Sequence, residues 1–393
     1  MPSGTPIEQF ADFMYNTGPA DIRGPEDFIN ELQRNTYLTS TLNNGRLTTE
    51  ICRGGSSIQD TIILDGTGGF QWGSPGVQIT AGNPQISRRT SVGWRFAYNY
   101  MAWMDQEVTL NGALSDMTKS ARFRQYKDLK RIKYSGLWIN QWNGIEDSYW
   151  YDPNSTATYN EMENSTGTNP RPYSIPVFIN EYTNGLPTGW TNKMGINPAT
   201  DTLWQPALER YKNSDINDAG QTQTGLLNAF NKMNLKTQFI PIASGPGSEY
   251  MEKNKTNRKV IACSRVGIDT YAAVLRANND STLSAQDPNY TNPLFAGQPL
   301  TYISNLDTIA IYPGSGGNNQ TEFGATVTNA GARYYFINGD YLFPVFHDEY
   351  YMKQDKPIKP PNQPDANIMW VRNWMNNFCR SNRRLGLVAP GAA

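Results

Sequence analysis

The sequence predicts an α+β fold in several modules, with at least one extended arm that does not complete its own core. Length is the first observation: 393 residues exceed one typical small domain and can bury a sizeable core. Composition is the second. With 10 Trp, 22 Tyr and 15 Phe, plentiful Gly, Pro and Asn, and few charges, the chain favours β structure and wide contact surfaces over helical bundles. The third is local pattern, which alternates between strand-like and helix-like spacing along the chain.

In order along the chain, residues 1 to about 30 read as an arm of short helical pieces broken at Gly18-Pro19 and Gly24-Pro25. A helix-like run from Leu32 turns at Arg53-Gly54-Gly55, and some forty strand-like residues follow, with six glycines from Gly66 to Gly82. The aromatic run Trp94 to Trp103 closes this region. That pattern predicts a long two-stranded hairpin with almost no private core, which is marginal alone in water and sensible when laid on a neighbouring subunit.

Leu110, Leu114, Met117 and Ala121 fall at helical spacing, followed less cleanly by Leu129 and Ile132, predicting one long or two consecutive helices over 104–134. Asp152 to Pro172 reads as a loop or domain crossing. A helix through Leu226, Leu227, Phe230 and Met233 is followed by a buried strand from Lys259 to Ser264. A helix through Ile268, Tyr271, Val274 and Leu275 comes next, then strands PLTYISNL and DTIAIYPG, a βαβ-like pattern. Asn338-Gly339 between two aromatic runs predicts a hairpin turn. Lys356 to Pro364 reads as a stiff extended connector. For Asp365 to Pro390 both a helix and a hairpin fit: Ile368, Val371, Met375 and Phe378 suit the first, Trp370-x-Arg372-x-Trp374 the second.

Charge excludes some functions. The net charge of −1 supplies no global field toward nucleic acid or acidic lipid. Locally, residues 7–31 hold six acids (Glu8, Asp12, Asp21, Glu26, Asp27, Glu31) against Arg23, and 119–133 hold seven bases against Asp128. Two readings fit: solvated faces, or an acidic arm of one subunit meeting the basic segment of another, with Glu26, Asp27, Lys127, Lys130 and Arg131 as the inter-subunit charges. Cys52, Cys263 and Cys379 are odd in number and far apart, which gives no disulfide framework and no metal spacing. The N-terminus lacks a signal-peptide pattern and no apolar run reaches membrane-spanning length, so a cytoplasmically made product without a membrane partner is expected.

Catalytic chemistry is scarce. His347 is the only histidine and sits among aromatic strand residues beside Asp348 and Glu349, the setting of a structural histidine. No GxxxxGK[ST] loop exists, and Gly314-Ser315-Gly316-Gly317 has no lysine after it. Any two acids could meet as a glycosidase pair, and the tryptophans Trp138, Trp142 and Trp150 could bind sugar; their near-helical spacing suits core packing better. No cofactor, metal or catalytic residue is expected.

Four segments in order carry a resemblance to the major capsid proteins of tailed bacteriophages, the shell-forming family with the Hong Kong 97-type fold. They are LTSTLNNGRLTTEICRGGSSIQDTIIL, RTSVGWRFAYNYMAWMDQEVTLNG, VIACSRVGIDTYAAVLRANND with PLFAGQPLTYISNLD, and GARYYFINGDYLFPVFH with RNWMNNFCRSNRRLGLVAP. The resemblance implies an N-terminal arm (1–50), an extended β-hairpin loop (51–97), a peripheral domain with a spine helix (98–172), an axial domain (173–331) and a C-terminal segment (332–393) returning to the peripheral domain, which tips 365–390 toward strands.

It also implies self-assembly into pentamers and hexamers of a closed icosahedral shell in the virion, around packaged double-stranded DNA held non-specifically. The implied partners are a portal, a scaffolding protein and a cementing or decoration protein. Some relatives weld subunits through a loop lysine; from Gly54 to Arg95 this chain has none, so no such crosslink is expected. Nor does it carry a charged helical scaffold extension, so the scaffold is expected to be separate and maturation cleavage absent.

The loop residues expected to touch the neighbour are Ile62, Leu64, Phe70, Trp72, Val77 and Ile79. At ~1.5–3 kcal/mol for each buried side chain, their gross gain is on the order of ten kcal/mol before ordering costs. Arg88 and Arg89 at the loop base fit inter-subunit ion pairs and a solvated pair equally. An encapsulin-like or gene-transfer-agent shell shares the implied fold. A secreted carbohydrate-active protein is the reading from another class, and it predicts a monomer with a signal peptide.

Overall fold

The computed structural model describes residues 37, 41, 47, 49–64, 87–105, 119–164, 169–182, 184–218, 223–238, 258–277, 293–308, 332–362 and 365–391, with backbone only over 119–132. In chain order its strands are β1 (Glu50–Cys52), β2 (Ser57–Ile63), β3 (Ser87–Gly93), β4 (Arg95–Met104), β5 (Ala207–Tyr211), β6 (Lys259–Cys263), β7 (Leu294–Phe295), β8 (Gln298–Tyr302), β9 (Tyr334–Asn338), β10 (Leu342–His347), β11 (Lys353–Gln354), β12 (Ala366–Cys379) and β13 (Gly386–Pro390). Its helices are α1 (Lys119–Tyr149), α2 (Thr156–Tyr159), α3 (Ile175–Phe178), α4 (Leu226–Thr237), α5 (Arg265–Ala277) and α6 (Asn305–Thr308). The chain divides into two compact units, and α1 and β12 each give residues to both.

The larger unit, with described residues from 35–95, 146–348 and 375–393, is built on a six-stranded sheet in the order β5-β13-β9-β6-β8-β7. β6, α5 and β8 form the expected βαβ element, with β6 and β8 parallel. α4 and α5 supply its apolar cover. Phe230 of α4 stacks on Tyr271 of α5 with centroids 5.4 Å apart and meets Tyr334 and Phe336 edge-on at 4.8 and 5.2 Å. β6, β9 and β13 are buried at every position, as befits central strands covered on both faces. At Gly267 a Cβ would lie 2.9 Å from the Cβ of Cys263, so a side chain there would push α5 off β6.

Buried charges in this unit are paired or hydrogen-bonded. Arg333 meets Glu181, which also faces Arg210 at 3.6 Å. Glu146 accepts from the Tyr37 backbone N–H (2.7 Å) and the Trp150 indole (2.8 Å). Lys193 is fully buried; its ammonium donates to the Gly185 carbonyl at 3.0 Å, and burial pushes its pKa down to about 7.

The other unit, described within 96–145 and 349–374, pairs β4 and β11 with the first part of β12. One face of this sheet packs on α1. Met101, Trp103, Met369 and Val371 bury against Leu137, with Tyr134 and Trp138 alongside. Asn99 Nδ2 and Lys133 Nζ tie the two layers, donating to the carbonyls of Leu137 (3.2 Å) and Ala102 (3.1 Å).

Several expectations need correction. Of the one or two helices placed over 104–134, residues 119–134 are helical as expected, 106–118 lie outside the described residues, and the helix runs on to Tyr149. It takes in Trp138 and Trp142, whose helical spacing was the correct reading. The loop placed over 152–172 contains α2, capped by the Ser155 side chain accepting from the Thr158 N–H, followed by a π-helical turn over Asn160–Asn164. DTIAIYPG begins inside α6, and the rest of it lies outside the described residues.

The Asn338-Gly339 turn is a corner, not a hairpin: β9 belongs to the six-stranded sheet, whereas β10 pairs with β1 and β12. A two-residue type I′ hairpin needs positive φ at both central residues. Neither Gly339 nor Asp340 has it, and the Asn338 side chain instead accepts from the Asp340 N–H at 3.1 Å. Residues 365–390 form strands, β12 pairing with β10 and β13 with β5 and β9.

Candidate interaction surface

The hairpin predicted from the glycine-rich region is present at its root. β2 and β3 run antiparallel through seven pairs, from Ser57↔Gly93 to Ile63↔Ser87. Gly54 and Gly55, at φ of +90° and +97°, make the turn that leads from β1 into β2, a backbone region that L side chains rarely adopt. The Trp94 indole donates to the Gly55 carbonyl at 2.9 Å, and its ring meets His347 edge-on at 5.2 Å. His347 is thus a buried strand-end packing residue.

Among the described hairpin residues, burial is concentrated at the root. Ile58, Thr90 and Val92 are enclosed, Ile62 is half-buried, and Ile63 is 71% exposed. Of the loop residues expected at a neighbour, Ile62 and Leu64 fall in the described part. Phe70, Trp72, Val77 and Ile79 lie outside it, as do Glu26 and Asp27 of the arm. Lys127, Lys130 and Arg131 belong to α1, where the description is of backbone only. Arg88 approaches Asp201 of the same chain at 3.6 Å, and Arg89 donates to the Gln59 side chain across the strand pair.

The root is clamped by arginine. Arg380, just past β12, reaches Glu50 at 2.9 Å and Asp60 at 3.2 Å and lies over the Phe343 ring. Beside it opens a cleft of about 580 Å³, lined by Asp60 to Leu64 of the hairpin, Leu203 and Trp204, Tyr341, and Arg380, Ser381, Arg383 and Arg384. Its walls are fixed to each other, since the buried Asn382 donates to the Trp204 carbonyl at 2.8 Å. Arg384 lies over the Tyr341 ring and donates to its hydroxyl. The cleft therefore joins an aliphatic side, where Leu203 is 46% exposed, to a guanidinium side.

A second open surface lies in the smaller unit. The face of β4 turned away from α1 carries Phe96, Tyr98 and Tyr100, each about half exposed. Phe96 meets Trp374 of β12 edge-on at 4.7 Å, Tyr100 lies 5.2 Å from Trp370, and Tyr350 stacks on Trp374 at 3.9 Å. The alternation in RFAYNYMAW signals this face in the sequence. The cleft had no comparable signal, because its walls come from four separated segments.

Among the described residues no group of His, Cys, Asp and Glu side chains is arranged to hold a metal ion, and no helix is long and apolar enough to cross a membrane. Cys263 and Cys379 are buried free thiols whose pKa values burial raises, to about 12 for Cys379.

No protein-family model matches the chain, and no curated protein matches it. Solved structures do. The capsid of Cyanophage A-1(L) aligns over 95% of this chain and 96% of its own, with a TM-score of 0.52 at 12% identity. The capsid of a native GTA particle aligns over 95% and 96% at TM-score 0.49 and 8% identity, and that of Myoviridae phage XM1 over 94% and 96% at 0.46 and 10%. The chain therefore has the α+β fold of a phage capsid subunit, the class of fold expected from its sequence.

Proposed function

We propose that this chain is a major capsid protein, a non-enzymatic subunit that assembles with itself into the icosahedral shell of a virion around double-stranded DNA. One observation carries the reading: the capsid fold extends over nearly the whole of both chains. The hairpin supports it, because strands whose described residues bury little beyond Ile58, Thr90 and Val92 gain stability when a neighbour covers them.

In this reading residues 51–97 are the extended loop, α1 is the spine of the peripheral domain, and the axial domain, expected over 173–331, also takes β9 and β13 from the segment 332–393 into its six-stranded sheet. Ile62, Leu64, Phe70, Trp72, Val77 and Ile79 lie on a neighbouring subunit. A portal, a separate scaffolding protein and a cementing protein complete the particle. The shell is made in the host bacterial cytoplasm, and it holds its subunits by packing and hydrogen bonds rather than by a loop-lysine weld.

Light scattering and negative-stain imaging of the purified chain test this. Closed megadalton shells, or pentamers and hexamers, are the expected result, and a 44 kDa monomer under all assembly conditions overturns it.

A further inference from the structure

The cleft at the hairpin root has a distinct chemistry. Three guanidiniums, Arg380, Arg383 and Arg384, line it, and Asp60 is the only carboxylate among the lining residues. Arg383 is exposed. Arg380 is paired with Glu50 as well as Asp60, and Lys259 stands near Arg384, so the surroundings leave the cleft's excess of positive charge in place. Opposite the arginines, Ile63 and Leu203 present aliphatic surface to solvent. The volume, about 580 Å³, falls within the roughly 300–1,000 Å³ of pockets that receive ligand groups.

This combination does not suit duplex DNA, whose phosphates find basic ridges and not an aliphatic wall next to a carboxylate. It suits a peptide in which acids and large apolar residues are interleaved. The chain contains such a segment. Residues 7–31 hold Glu8, Asp12, Asp21, Glu26, Asp27 and Glu31 with a single base, Arg23, and between the acids stand Phe10, Phe13, Ile22, Phe28 and Ile29.

We propose that the cleft of one subunit receives the acidic segment 7–31 of a second copy of the chain. The inference rests on the shell reading above and names one of its contacts. Each copy offers one acidic segment and one cleft, so the contact is heterologous and repeats around a ring without a self-complementary patch. Guanidinium–carboxylate pairing sets the register, and the apolar side chains settle against Ile63 and Leu203. The arginine that clamps the hairpin root thereby also forms a wall of the binding site.

A crosslinking experiment on the full-length chain tests this. The Arg383→Lys variant keeps the charge and supplies an amine for carbodiimide coupling to carboxylates. Ordinary and nitrogen-15 preparations are mixed before assembly, coupled and mapped by mass spectrometry. The expected product joins the amine at position 383 to a carboxylate within 7–31 and includes pairs of mixed isotope. Pairs of a single isotope only place the segment on its own subunit and overturn the proposal. Coupling of the segment to Lys127 or Lys130 in place of position 383 overturns it too.

A second measurement uses charge reversal. Arg383→Glu with Arg384→Glu is expected to lower the assembled fraction at least tenfold, and adding Glu26→Lys with Asp27→Lys to restore it. Unchanged assembly in the arginine variant counts against the contact. If particles form but position 383 joins nothing in 7–31, this inference fails and the shell reading stands. If the unmodified chain never associates, both fail.

Discussion

The six-stranded sheet and the β2–β3 hairpin reach opposite ends of burial. KVIAC of β6 and YYFIN of β9 are enclosed at every position. SIQDTII of β2 has one buried position in seven, and its most apolar end is its most exposed. The hairpin strands interleave polar with apolar residues where β6 and β9 are mostly apolar, and the two regions differ as well in what covers them. α4 and α5 cover the first from within the chain. The second has Arg380 and Trp94 at its base, and its described residues beyond them stay open to solvent. In the shell reading proposed above, a neighbouring subunit supplies that cover.

Substitutions should separate the two regions, and the largest effect belongs to the sheet. Phe230→Ala removes the ring on which Tyr271, Phe295, Tyr334 and Phe336 converge. A loss of about 3–5 kcal/mol in subunit stability is expected, read by denaturant unfolding. A change below ~1 kcal/mol would mean that the helices do not close this core.

Lys193 comes next, and its effect depends on pH. Its folded-state pKa, about 7, is depressed from the ordinary 10.5 by burial. Between those values the unfolded chain binds the extra proton, so stability rises with pH from about 7 to 10.5, with a slope of up to ~1.4 kcal/mol per pH unit from this group. Below pH 7 both states are protonated and the penalty is constant. Lys193→Met should therefore raise the melting temperature at pH 7 and flatten the profile above it. A variant that melts lower at pH 7 would show that the hydrogen bond to Gly185 outweighs the cost of burying the charge.

Arg380→Ala should cost only about 1 kcal/mol of global stability, because both of its ion pairs are partly exposed. Its expected mark is local: faster amide hydrogen exchange in β2 and β3, with β6 and β9 unchanged. Equal acceleration in both would erase the contrast between the regions.

The smallest effect on the subunit is expected from Phe70→Ser with Trp72→Ser, within about 0.5 kcal/mol. Assembly should fail all the same, as light scattering would report. Unfolding of the subunit in this variant would place these side chains in its own core.

The sequence made some of this legible and some not. β6, α5 and α4 were readable because their apolar residues follow one another at a single period within one segment. The corner at Asn338-Gly339 was misread, since a turn dipeptide specifies that the chain reverses but not which strand each arm will join. For 365–390, Val371, Met375 and Phe378 sit at helical spacing while Trp370, Arg372 and Trp374 alternate as in a strand, and pairing with β10 decided the outcome. Of the interaction surface, the hairpin and its alternating residues were visible early. The cleft was not, because Arg383, Leu203, Tyr341 and Ile63 come together only when four distant segments fold.

The parallel pairing of β1 with β10 has a mechanical consequence. β1 leads through Gly54 and Gly55 directly into the hairpin, and its residues pair Glu50↔Val345, Ile51↔Phe346 and Cys52↔His347. A pull on the hairpin from outside the subunit draws β1 along its own axis. The ladder hydrogen bonds, which cross between the strands, then resist together in shear and do not peel apart one at a time. Arg380 bridges Glu50 on β1 to Asp60 on β2, so the same tug is shared across the glycine turn. A short strand of three residues can in this way anchor the hairpin against tension.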